Sequence, residues 1–167
     1  MGPKASGYVD VGALELYYER HGRGAPLILL HGAMGTIESC FAGLLPRLAQ
    51  DFEVFAVELQ GHGHTRDIAR PLTYENMARD TAALVDALGS EHAHFVGYSM
   101  GGAVALQVAL DRPELVDRLV FAGGASFDPS GVYPELLAPP ISHLAKLGTG
   151  ELGDIWCARC PGLSAGV

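Results

Sequence analysis

The stretch Gly97-Tyr98-Ser99-Met100-Gly101 constrains this chain more than any other. The apolar residues His94-Phe95-Val96 lead into it, and Gly102, Ala103, Val104, Ala105, Leu106, Val108, Ala109 and Leu110 follow at helical spacing. The pattern predicts a strand, a sharp turn with a serine at its apex, and a helix. A serine held at such a turn has strained dihedrals, and glycines flank it because neighbouring backbone passes too close for a Cβ. The helix that starts there aims its free N–H groups and positive dipole end at the serine hydroxyl, an arrangement suited to an oxyanion. A plainer reading is that Ser99 only caps a helix, since serine is a common N-cap. The pentapeptide by itself leaves both readings open.

Two other features weigh on that choice. His31-Gly32-Ala33-Met34-Gly35 ends the apolar run Pro26-Leu27-Ile28-Leu29-Leu30. A glycine-rich loop after an earlier strand can supply a second oxyanion donor. The N–H of Ala33 is the first candidate, with Met34 second, and the N–H of Met100 would be the donor beside the serine. An ordinary glycine-rich strand-to-helix loop is the alternative. The second feature is the spacing of elements. Hydrophobic runs at 26–31, 53–59, 93–98 and 118–123 read as buried parallel strands. Ile37, Phe41, Leu44, Leu45 and Leu48 share one helical face, as do Tyr74, Met77, Ala78, Thr81, Leu84, Val85 and Leu88. Thr73 is the expected N-cap of the second of these helices, Glu75 suits its first turn, and Gly89 ends it. Tyr8–Val11 and Leu14–Glu19 alternate around Gly12 as a β-hairpin. A hairpin followed by strand–helix units predicts an α/β fold with a mostly parallel sheet and helices on both faces.

The hairpin, the His31–Gly35 loop, Gln60-Gly61-His62-Gly63-His64-Thr65 and Gly97–Gly102 stand in an order and spacing that resemble the N-terminal part of an α/β-hydrolase. The esterase, lactonase and cofactor-free haloperoxidase-like members are the nearest in pattern, over about residues 6 to 147. The resemblance implies Ser99 as nucleophile, Ala33 and Met100 as oxyanion donors, and Met34 and Tyr98 as substrate contacts. It implies an ester or similar carbonyl as substrate, and no cofactor. It further implies the strand order 1-2-4-3-5-6-7-8, an α/β-hydrolase core over residues 1–124 and the start of a cap over 125–147, while residues 148–167 show no clear period and read as an irregular tail.

In that family the acid and the histidine follow the serine along the chain. The sixth strand, Asp117 to Gly123, is the last one legible before Val167. The expectation is therefore a fold cut short after the sixth strand, with acid and histidine missing. His94 should lie at the far end of its strand, about 16 Å from Ser99 at ~3.3 Å per residue. His62 and His64 follow a strand two places away, about 10 Å off. His31 is nearer but sits where the loop is shaped, and His143 falls in the cap segment. Asp128 follows the sixth strand but precedes Pro129, which reads as a turn. Two readings stay open: a serine hydrolase acting on an ester-like small molecule, and a catalytically dead fragment that binds a small molecule or a protein. A separate chain supplying acid and histidine is a third possibility.

Composition narrows the partners. The net charge of −8 argues against nucleic acid and anionic membrane, and 49% hydrophobic residues suffice for a core. Met1-Gly2-Pro3-Lys4-Ala5-Ser6 contains no apolar leader and no run reaches about 18 apolar residues, so a cytoplasmic location is expected. No phosphate-binding loop or dinucleotide fingerprint is present. Cys157-x-x-Cys160 lacks a second ligand pair for zinc. His62/His64 and His92/His94 are weak metal signals for which no carboxylate or cysteine partner is expected, so no metal is expected. Leu119-Val120-Phe121-Ala122 would form an edge without charge, proline or bulge, and self-association through it is expected.

Overall fold

The computed structural model describes residues 2–123. The expected cap and tail segments, with Asp128, His143, Cys157 and Cys160, lie outside them. Six strands form one sheet: β1 (Ala5–Asp10), β2 (Glu15–Gly22), β3 (Ala25–Leu30), β4 (Phe52–Val57), β5 (Ala93–Tyr98) and β6 (Val116–Ala122). Their order is β1-β2-β4-β3-β5-β6. The first three in that order pair antiparallel, and β4, β3, β5 and β6 run parallel.

The hairpin turns at Gly12, whose φ of 95° suits glycine, and the Gly12 N–H donates to Asp10 Oδ1 at 3.1 Å. Residues Leu27–Leu30 and Val54–Val57 are fully buried, as the continuous apolar runs predict for parallel strands covered on both faces. Val120 on β6 is about half exposed.

One expected helix is two. Ile37–Phe41 forms α1 and Leu45–Asp51 forms α2, separated by a turn through Gly43. Pro46 takes the second position of α2, where its missing N–H costs nothing, but it could not sit inside a continuous helix. Ile37, Phe41 and Leu45 still pack with Leu27, Leu29, Val54 and Ala56 in a core cluster. Leu44, placed on the same face by sequence spacing, is instead exposed in the turn.

The longer helices follow their sequence signals. Helix α3 spans Tyr74–Ala87, and its N-cap Thr73 accepts the Asn76 N–H at 3.2 Å, a bond typically worth about 1 kcal/mol. Gly89, at φ 70°, closes the helix. Its N–H donates to the Asp86 carbonyl, and that of Ser90 donates to the Val85 carbonyl, a paired C-cap. Helix α4 (Met100–Asp111) is buried from Gly101 to Ala109, consistent with its apolar character all round.

Candidate functional site

Ser99 stands at the junction of β5 and α4. It is the N-cap residue of α4, with φ 50° and ψ −114°, and its side chain makes no capping bond. Positive φ at a non-glycine residue costs roughly 1–2 kcal/mol and persists only where the surroundings enforce it. Close packing enforces it here. A Cβ on Gly97 would strike Gly102 Cα at 2.5 Å and the Gly101 carbonyl even more closely. A Cβ on Gly101 would lie 2.6 Å from the His31 carbonyl oxygen. A Cβ on Gly102 would meet the Phe121 ring at 2.7 Å. Strand, helix and the loop after β3 thus converge where the serine sits. Ser99 is half-buried and its N–H donates to the Ala122 carbonyl at 2.9 Å, tying the turn to β6.

The His31–Gly35 loop packs against this turn. A Cβ on Gly32 would lie 3.3 Å from Ser99 Cβ and 2.9 Å from the Tyr98 ring. Gly32-Ala33-Met34-Gly35 is a β-turn closed by Gly35 N–H to Gly32 carbonyl at 3.1 Å. Met34, the third residue, has φ 56°, as a type II turn demands of that position. Ala33 is exposed and Met34 is 97% exposed. Tyr98 is also exposed. Among the described residues, no acceptor bonds the N–H of Ala33 or of Met100.

His31 is fully buried and holds the loop from beneath. Its Nε2 accepts the Leu59 N–H at 3.0 Å, so Nδ1 carries the proton and donates to the Gly32 carbonyl at 2.8 Å. Burial pushes the His31 imidazole below its ordinary value, against the smaller opposing pull of the Gly32 bond. The unfolded chain therefore takes up a proton near pH 6.5 that the folded chain resists. The stability His31 confers is full above that pH and is lost as pH falls. Melting temperatures measured from about pH 7.5 to 5 should decline. His31→Gln, which does not titrate, should flatten that decline, and an unchanged slope would contradict the assignment.

His62, His64 and His92 are engaged elsewhere. His62 Nδ1 lies 2.9 Å from the Gln60 carbonyl, and its ring is 4.9 Å from that of His31. His64 Nδ1 bonds Glu58 Oε2 at 2.8 Å, and His92 Nδ1 bonds Asp117 Oδ2 at 2.6 Å. These last two correct the expectation that the histidine pairs lack carboxylate neighbours, because the fold brings Glu58 back over the loop and Asp117 across from β6. Even so, no group of three or more His, Cys, Asp or Glu that could hold a metal occurs among the described residues. No histidine among them hydrogen-bonds Ser99.

Glu58 is the residue that sequence reading passed over. It is 2% exposed, buried at the end of β4's apolar run. Gln60 and Asp80 are also buried. The Arg70 guanidinium bridges them, giving two bonds to Asp80 at 3.0 and 2.6 Å, and donates to Gln60 Oε1 at 3.0 Å. An acid flanked by Val57 and Leu59 in a buried run was the available signal for Glu58.

The family model described as alpha/beta hydrolase fold matches residues 25–151. The chain belongs to the α/β-hydrolase family. Among relatives of this hydrolase-fold chain, the dihydrolipoyllysine-residue acetyltransferase component of an acetoin cleaving system from Cupriavidus necator is 39% identical, over 72% of this chain and 32% of that protein. A pyrrolizixenacetamide deacetylase from Xenorhabdus hominickii is 34% identical, over 69% of this chain and 43% of the relative. Among solved structures, Est816, an N-acyl homoserine lactone degrading enzyme, superposes with a TM-score of 0.69 at 28% identity, over 88% of this chain and 55% of that one. The epoxide hydrolase CorEH superposes at 0.71 and 28% identity, over 84% and 50%. This α/β-hydrolase chain spans less than half the length of those two curated relatives. None of its described helices is long and apolar enough to cross a membrane.

Proposed function

We propose that the chain carries the nucleophile and oxyanion hole of a serine hydrolase acting on an ester or similar small carbonyl compound. The carrying observation is the placement of Ser99, at positive φ between strand and helix, against the turn of Ala33. Ser99 Oγ attacks the carbonyl carbon, and the oxygen that becomes negative is received by the N–H groups of Ala33 and Met100. Those groups have no acceptor among the described residues, so they need not be freed at the moment of reaction. The tetrahedral adduct collapses by releasing the alcohol, leaving an acyl group on Ser99 that water removes. The serine proton passes to a histidine that is not among the described residues, and from it to the leaving group. Exposed Met34 and Tyr98 present an apolar face to the substrate, in keeping with the strain that holds Met34 outward. Deacetylase and lactone-degrading relatives favour acyl chemistry.

Ala33→Pro tests this assignment. Ala33 is the second residue of a type II turn, where proline is favoured, and its N–H bonds nothing among the described residues. The variant should therefore keep its melting temperature while acyl transfer from p-nitrophenyl acetate to Ser99 slows by about 10²–10³. Equal rates in the variant and the native chain would remove Ala33 from the oxyanion hole.

A further inference from the structure

The turn that carries Ala33 is gripped at both ends by consecutive residues after β4. At its start, the Leu59 N–H bonds His31, which bonds the Gly32 carbonyl. At its exit, the Ile37 N–H donates to Glu58 Oε1 at 3.3 Å. The other carboxylate oxygen of Glu58 accepts the His64 N–H at 2.6 Å and the His64 ring at 2.8 Å. Gly63 leaves room for this carboxylate, because a Cβ there would overlap it. Thr65, buried beside it, donates to the Glu58 carbonyl at 2.6 Å and accepts the Tyr17 N–H at 2.9 Å, which fixes the segment to β2. A carboxylate this buried persists only when its lone pairs are met, and three donors meet them.

We propose that Glu58 is a positioning residue for the oxyanion hole: with His64 holding its second oxygen, it anchors Ile37 and so sets the distance between the Ala33 N–H and Ser99. The proposal rests on Ser99 acting as nucleophile with Ala33 as donor. Glu58 touches no reacting atom. Its effect passes along four residues of chain, and a shift of about 1 Å in such a donor is enough to slow a reaction about 100-fold.

The test compares Glu58→Gln, His64→Ala and Asp80→Asn with the native chain. Glutamine keeps the acceptor for Ile37 but turns an NH₂ toward the His64 donors. His64 is largely exposed, so its alanine variant folds even if Glu58→Gln does not. Asp80→Asn weakens the Arg70 pair at the far end of the same loop and controls for general loss of stability. Two quantities are read: amide exchange at Gly35 and Ile37, and the rate of acetyl transfer from p-nitrophenyl acetate to Ser99 by mass spectrometry. Glu58→Gln should speed exchange and slow acetylation, each about tenfold or more, with His64→Ala changing both in the same direction by less. Asp80→Asn should change neither beyond its shift in melting temperature. Native-like exchange and acetylation in both Glu58→Gln and His64→Ala, or effects no larger than those of Asp80→Asn at equal stability, would overturn the proposal. If the native chain does not acetylate at Ser99 at all, the hydrolase reading fails. The exchange arm then still decides whether Glu58 clamps the turn.

Discussion

Gly101→Ala should destabilise the fold by about 3 kcal/mol or more, an effect at the upper end for a single added methyl group. The new Cβ would lie 2.5 Å from the Leu30 carbonyl carbon and 2.6 Å from the His31 oxygen. Both are backbone atoms at the end of a buried strand, with no rotamer to swing aside. Either α4 lifts from the sheet or β3 shifts, and either movement opens the gap between Ser99 and the Ala33 turn. Gly43→Ala is the matched control. It has open space around its Cβ direction and no positive φ, so alanine there should be neutral or stabilising by up to about 1 kcal/mol. Urea midpoints for the two variants check the contrast. Similar midpoints would mean that the close approach of α4 to β3 is not what holds Ser99 in its strained conformation.

The second large effect concerns turnover. The 167-residue chain alone should turn over p-nitrophenyl acetate only about 10³–10⁴-fold faster than water does, far below the rate of a complete triad. Losing the histidine from a serine triad lowers turnover by about a million-fold. The oxyanion hole and binding retain about 10³–10⁴ over water. Among the described residues no imidazole hydrogen-bonds Ser99, and most are bonded elsewhere. His31 is locked between Leu59 and Gly32, His64 between solvent and Glu58, and His92 against Asp117. A robust turnover number abolished by Ser99→Ala would require an imidazole within reach of the serine and would contradict this expectation.

The parts of the fold legible in the sequence are those that one local pattern determines. Strands buried on both faces must be apolar at every position, so β3 and β4 announced themselves as runs, and the observed strand order matches the one the family resemblance implied. The caps of α3 were readable because Thr73 and Gly89 act within a few residues of themselves. The α1–α2 break was missed because the apolar spacing of Ile37, Phe41 and Leu45 continues across it, and periodicity alone does not register the proline at position 46.

The site divides in the same way. Ser99 and the Ala33 turn are encoded by short glycine patterns, whose geometric demand is local. The contacts that hold them are not. Glu58 meets Ile37 and His64, and Arg70 meets Gln60 and Asp80, across separations that depend on the finished sheet. Buried charge of this kind leaves only a faint mark in sequence, an acid or a glutamine inside an apolar stretch, and its partners cannot be found by spacing.

Peptide mapping after prolonged exposure to p-nitrophenyl acetate tests the central claim most directly. The account predicts a single acetyl group on Ser99, absent from Ser99→Ala and strongly reduced in Ala33→Pro. Acetylation confined to the amino terminus and lysines, with Ser99 unmodified and Ser99→Ala labelled to the same extent as the native chain, would contradict it.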